Sequence, residues 1–243
     1  MKRLLILLIL GVSWMAVPIH AATERSGEVK TQDGERIHYV RRGSGTPLIL
    51  LHGNAQSSQY FVPQMSLPFD NIAIDSRNHG QSSSSKAIDF RLMARDVLDV
   101  MNALKIEKSD FLGFSDGANL AMVFAKYYPE RVNHLILNSG NMTLSDLHFF
   151  PRLISKLQNI FFHTPVSELL VKEIGVTKSD LAKFQMPVLV IVGQYDLVKQ
   201  SASRKIAKYS HGKLVEIPRA FHKVSQTRPK LFNQIVTQFL QNP

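Results

Sequence analysis

Short apolar runs alternate with stretches of helical spacing along most of this 243-residue chain, and that alternation restricts the fold more than any other feature. Pro47 to Leu51 and Ile72 to Ile74 are short, continuous apolar runs, and Phe111 to Gly113, Val132 to Leu137, Val188 to Val192 and Leu214 to Ile217 are short segments dominated by apolar residues. Such runs read as strands buried on both faces. Between them, Phe90, Met93, Val97, Val100, Met101 and Leu104 recur at helical spacing, so Asp89 to Leu104 reads as an amphipathic helix. Asp116 to Tyr128 (stopped by Pro129), Ser201 to Tyr209 and Lys230 to Leu240 read as further helices. Val29 to Val40 alternates about the turn dipeptide Asp33-Gly34 and predicts an opening hairpin. The expectation is an α/β fold, a mostly parallel central sheet with helices on both faces. In such sheets functional residues gather at the carboxyl ends of the strands.

One stretch departs from the alternation. Thr143 to Gln185 is too long for a simple crossover and is rich in bulky apolar residues, among them Leu147, Phe149, Phe150, Ile160, Phe161, Phe162, Leu169 and Leu170. Residues 143–185 therefore read as a small helical cap inserted into a core formed by 22–142 and 186–243.

The first residues read as a targeting segment. Lys2 and Arg3 precede an apolar run from Leu4 to Val12, and Ile19-His20-Ala21-Ala22 supplies small residues for cleavage. This is the pattern of a secretory signal peptide over 1–21, cut after Ala21 or Ala22; an uncleaved anchor is the alternative. The run is short for a membrane span and is followed by Ser13 and Pro18, so no stable membrane insertion is expected after cleavage. The chain has no cysteine, which excludes disulfides, thiolate chemistry and a lipid-modified Cys. The periplasm or the medium is the expected compartment. Formal net charge is +10, or +8 without Lys2 and Arg3. The basic residues are spread without aromatic interleaving, which points to a solvated basic surface and away from nucleic-acid binding.

Chemistry concentrates at Gly113-Phe114-Ser115-Asp116-Gly117, a G-x-S-x-G between an expected strand and an expected helix. A serine on such a turn has its hydroxyl pushed above the sheet, and the helix N-terminus behind it favours developing negative charge. A serine hydroxyl needs a base. His222, in the loop after the last strand, is the candidate, with Asp196 in Gly193-Gln194-Tyr195-Asp196 to orient it. The backbone N–H groups of Asp116 and of Asn54, in His52-Gly53-Asn54-Ala55, are the expected oxyanion donors. His52 is expected to brace that loop. No metal-ligand spacing and no G-x-G-x-x-G after a strand is present, so no cofactor is expected.

These pieces, with Asp75-Ser76-Arg77-Asn78-His79-Gly80-Gln81-Ser82, resemble the α/β-hydrolase superfamily from about Val29 onward. The resemblance implies a Ser-Asp-His triad in that chain order. The family pattern usually has Gly where Asn78 stands, and Asn tolerates the left-handed backbone this requires. The acid after the nucleophile is similar to the valacyclovir-hydrolase (biphenyl hydrolase-like) group and leaves two readings for Asp116: a first-turn acid meeting the helix dipole, or a carboxylate reaching the pocket to hold a cationic substrate group. Serine at position 115 argues against the haloalkane dehalogenases, whose nucleophile is Asp. The function expected is a secreted serine hydrolase of small carboxylic esters, working on a small-molecule substrate. Carbon–carbon bond hydrolysis, lactone hydrolysis and perhydrolysis are alternatives on the same machinery, and a non-catalytic ligand receptor is a third class. Phe149, Phe150, Phe161 and Phe162 are candidate pocket walls.

Overall fold

The computed structural model describes residues 23–242, so the targeting segment expected over 1–21 lies outside the described residues. The strands are β1 (Arg25–Lys30), β2 (Arg36–Arg42), β3 (Pro47–Leu51), β4 (Asp70–Ile74), β5 (Ser109–Phe114), β6 (Val132–Asn138), β7 (Val188–Gly193) and β8 (Lys213–Ile217). They form one sheet in the order β1-β2-β4-β3-β5-β6-β7-β8. β1 and β2 form the expected hairpin, Val29 opposite Ile37, and β2 pairs antiparallel with β4. Every pairing from β4 to β8 is parallel.

The helices are α1 (Phe90–Ala103), α2 (Asp116–Tyr127), α3 (Phe149–Phe162), α4 (Pro165–Leu169), α5 (Lys178–Leu181), α6 (Gln200–Tyr209), α7 (Val224–Thr227) and α8 (Pro229–Gln241). The period-2 geometry of the strands divides the core between the two sheet faces. Ile49, Leu51, Phe111, Leu135 and Val190 pack with residues of α1, α2 and α6. Leu48, Leu50, Leu112, Ile136 and Ile191 pack with Phe61 and with Phe232, Val236 and Phe239 of α8. Each fully buried Leu, Ile or Val contributes about 1.5–3 kcal/mol. Asp89 caps α1, its carboxylate accepting from Leu92 N–H at 2.8 Å. In α2, Gly117 through Ala125 are all buried, so this helix is wedged in the interior and holds its N-terminus rigidly.

Thr143 to Gln185 is helical in part. α3 stands away from the sheet with exposed apolar side chains, whereas Leu169, Ile174, Val176, Leu181 and Phe184 enter the main core. The root of the excursion is tied to the loop after β7, where His148 N–H donates to Leu197 O and Lys199 N–H to Asp146 O.

Arg77 is wholly buried and locks the loop after β4. Its Nε donates to Asp96 Oδ2 at 2.6 Å and its Nη2 to Asp96 Oδ1 at 2.5 Å, while Asp33 in the hairpin turn accepts at 3.1 Å. Asp96 is buried; the Asp33 side chain is 43% exposed. Removing the buried partner strands a desolvated charge, whereas the exposed partner is screened. Asp96→Ala should therefore lower unfolding free energy by about 3–5 kcal/mol, and Asp33→Ala by less than about 1 kcal/mol, in urea titrations.

Candidate active site

Ser115 follows β5 and sits at φ 53°, ψ −119°, a left-handed backbone that costs an ordinary residue about 1–3 kcal/mol. The flanking glycines make the turn possible. A Cβ on Gly113 would lie 2.2 Å from Gly117 O, and one on Gly117 would lie 1.8 Å from Leu51 O. Ser115 N–H donates to Asn138 O at 2.9 Å, which pins the turn to the end of β6.

His222 follows β8 and Asp196 follows β7. His222 Nδ1 is 2.7 Å from Asp196 Oδ1, and His222 Nε2 is 3.1 Å from Ser115 Oγ. A carboxylate can only accept, so Nδ1 carries the proton and Nε2 is left to accept from the serine hydroxyl. The structure thus brings together the three residues singled out for nucleophile, orienter and base. The His222 ring leans on Phe114 at 4.9 Å, and Phe114 in turn stacks on Tyr60 at 4.4 Å.

Asp196 is held from every side. Its Oδ1 also accepts from Val198 N–H at 3.0 Å, and its Oδ2 from Ser139 Oγ at 2.7 Å and Gly193 N–H at 3.3 Å. Burial alone would raise this carboxyl; the hydrogen bond and charge of His222, with Val198 and Ser139, outweigh it and hold Asp196 below its ordinary value. Ser139 was not legible as a site residue. It directly follows β6 at φ 59°, and only the fold places its hydroxyl against Asp196.

Asn54 and Asp116 face each other through side chains. Asn54 Nδ2 donates to Asp116 Oδ2 at 3.0 Å and to Val166 O at 2.9 Å, and Asn119 Nδ2 donates to Asp116 Oδ1 at 3.3 Å. Asp116 therefore ties the loop after β3 to α2, a role neither sequence reading of this acid named. Burial pushes its carboxyl up, against the opposing effect of Asn54. Among the described residues, the backbone N–H groups of Asn54 and Asp116 donate to no protein acceptor. His52 braces the loop: its Nδ1 donates to Gly53 O at 2.8 Å, and its Nε2 accepts from Ser76 N–H at 3.1 Å. Asn78 has the left-handed backbone expected of it, at φ 62°.

A cavity of about 240 Å³ opens at Ser115 and His222. Leu147, Ile154, Leu169, Leu170, Leu197 and Val198 form apolar walls, and Asp116, Asn119 and Asn141 a polar end. Phe149, Phe150, Phe161 and Phe162 do not line it. They are 61%, 72%, 75% and 67% exposed, because α3 turns Pro151, Ser155 and Gln158 to the cavity instead. A larger depression of about 610 Å³ beside His134 lacks the serine, and among the described residues no cluster of three His, Cys, Asp or Glu is placed to hold a metal ion.

Comparison with known proteins agrees with this fold. Residues 46–164 match a family described as alpha/beta hydrolase fold. The pig bifunctional epoxide hydrolase 2 is 28% identical over 162 residues, covering 64% of this chain and 28% of its own length. The chain thus spans under a third of that relative. An esterase of Thermogutta terrifontis superposes with a TM-score of 0.75 at 21% identity, covering 89% of this chain and 98% of the esterase. A meta-cleavage product hydrolase of Pseudomonas fluorescens superposes with a TM-score of 0.72 at 20% identity, covering 88% of this chain and 97% of the other. At such identities the likeness is one of fold.

Burial, with His79 adding to it, lowers His52 from 6.5 to about 4. As pH falls the unfolded chain takes up this proton first. The stability that neutral His52 contributes is whole above about pH 6.5 and is lost as pH falls toward 4. At about 1.4 kcal/mol per unit, the loss is about 3 kcal/mol. His52→Gln should be less stable than wild type at pH 7, and the gap in urea unfolding free energy should narrow by about 3 kcal/mol by pH 4.

Proposed function

We propose that this chain, which belongs to the α/β-hydrolase superfamily, is a serine hydrolase acting on small carboxylic esters. The observation that carries the reading is the continuous relay from Ser115 Oγ through His222 to the fully hydrogen-bonded Asp196 at the mouth of an apolar cavity.

In this reading Ser115 Oγ bonds to the ester carbonyl carbon as its proton passes to His222 Nε2. The carbonyl oxygen takes up the displaced electron pair and is met by the Asn54 and Asp116 N–H groups, which spend no hydrogen bond elsewhere among the described residues. Asp196, kept ionised by its own hydrogen bonds, stabilises the imidazolium that forms. The carbonyl re-forms, the bond to the alcohol breaks, and the proton on Nε2 leaves with that alcohol. Water then repeats the sequence on the acyl-serine, freeing the acid and returning the proton to Ser115. Asp116 serves as a positioning residue, since its carboxylate holds the Asn54 loop against α2.

The size of the cavity favours short acyl groups: about 240 Å³ is below the range of ordinary drug-sized pockets. Export by a cleaved segment over 1–21 belongs to the same proposal and rests on Lys2, Arg3, the apolar run and the Ala21-Ala22 site.

The test is hydrolysis of p-nitrophenyl esters from acetate to decanoate. Turnover should favour the short chains by about tenfold or more in kcat/KM, and Ser115→Ala should lower it by about 10⁴-fold or more. A folded protein inert on every chain length would overturn the ester reading and direct the search to carbon–carbon bond hydrolysis. Asp196→Asn should retain the fold and lower kcat by about 10³–10⁴-fold, because a neutral amide with one donor end neither balances the imidazolium nor fixes the His222 tautomer as an acceptor-only carboxylate does.

A further inference from the structure

α3 is amphipathic with its faces reversed. At about 100° per residue, Phe149, Phe150, Leu153, Ile154, Leu157, Ile160 and Phe161 fall within an arc of about 140°. A surface helix ordinarily turns such an arc to the core. Here every one of these residues is 40% or more exposed, whereas Ser155 is the buried residue of the helix and Pro151 and Asn159 are half-buried. The helix rests on its small and polar side and displays its apolar side.

Charge says what covers this face. Arg152 and Lys156, one turn apart, border the apolar arc on one edge, and no acidic residue occurs from Leu147 to Ser167. The whole chain is basic, with 29 Lys and Arg against 19 Asp and Glu. A second copy seated on the same face would bring these cations together with no acid on either helix to answer them. An apolar arc bordered by cations with long stems suits a surface that is apolar within and anionic at its rim. At fourteen residues α3 is about 21 Å long, too short to cross a bilayer, and among the described residues no helix is long and apolar enough to do so.

We propose that α3 lies in the interface of an anionic phospholipid bilayer, its apolar arc among the acyl chains and Arg152 and Lys156 at the headgroups. Ile154 belongs both to the exposed arc and to the cavity wall, so the docked helix sets the mouth of the Ser115 cavity at the lipid surface. Docking is independent of the esterase reading and holds whether or not Ser115 turns over esters.

The chain has no cysteine, so a single one can be labelled cleanly. In the full chain, Phe161→Cys on α3 and, separately, the exposed control Lys230→Cys on α8 would each carry an environment-sensitive fluorophore. Vesicles of phosphatidylglycerol with phosphatidylcholine should blue-shift the label at 161 and leave that at 230 unchanged. Phosphatidylcholine alone should require at least about tenfold more lipid. Adding Phe150→Asp and Leu157→Asp, both at exposed positions, should abolish the shift while circular dichroism and thermal midpoint stay near those of the parent. A tether through residues 1–22 alone would hold protein on vesicles without moving the label at 161, and that result overturns the proposal. So does a shift without lipid that grows with protein concentration, which marks a second copy as the occupant, or an equal response to neutral and anionic vesicles.

Discussion

The close approach of Gly117 to the Leu51 and His52 carbonyls governs this structure. It lets the N-terminus of α2 enter between the ends of β3 and β5, a space that any side chain at 117 would fill. From that contact follow the left-handed backbone of Ser115, the direction of its hydroxyl and the proximity of the Asn54 loop to Asp116. The strain at Ser115 is carried by a helix buried from Gly117 to Ala125, so the site borrows its rigidity from the core.

Around this turn, the ends of successive parallel strands each supply one part. β3 brings the His52–Asn54 loop, β5 the serine, β6 Ser139, β7 Asp196 and β8 His222. Parallel pairing aligns all these carboxyl ends on one edge of the sheet, which is why residues distant in the chain meet within hydrogen-bond reach. Electrostatics then separates the two acids of the site. Asp196 is surrounded by donors and held low, while at Asp116 desolvation outweighs the two amide donors and pushes the carboxyl up. The first suits a carboxylate facing an imidazolium, the second a clasp between loop and helix.

The excursion over residues 143–185 joins two kinds of packing. Its latter part enters the core through Leu169, Leu181 and Phe184, and its root is bonded to the loop that carries Asp196. α3 between them keeps its apolar side outward. A bulky apolar composition there suggested pocket walls at Phe149, Phe150, Phe161 and Phe162. The cavity instead uses Leu147, Ile154, Leu169 and Leu170, from the same stretch but from other faces and neighbouring turns.

What the amino-acid sequence determined by itself was whatever depends on local order: the strand and helix runs, the hairpin at Asp33-Gly34, the glycines at the serine turn, and the chain order of Ser115, Asp196 and His222. Period, turn stereochemistry and strand-end position are set by residues a few places apart, so they survive reading along a line. The tertiary structure alone decided which side of α3 faces solvent, that Ser139 holds Asp196, and that Asp116 spends its carboxylate on Asn54 and Asn119. Each of these is a choice among partners brought together by the sheet order. An apolar arc or a lone hydroxyl carries no mark of which distant surface will meet it until the elements have packed.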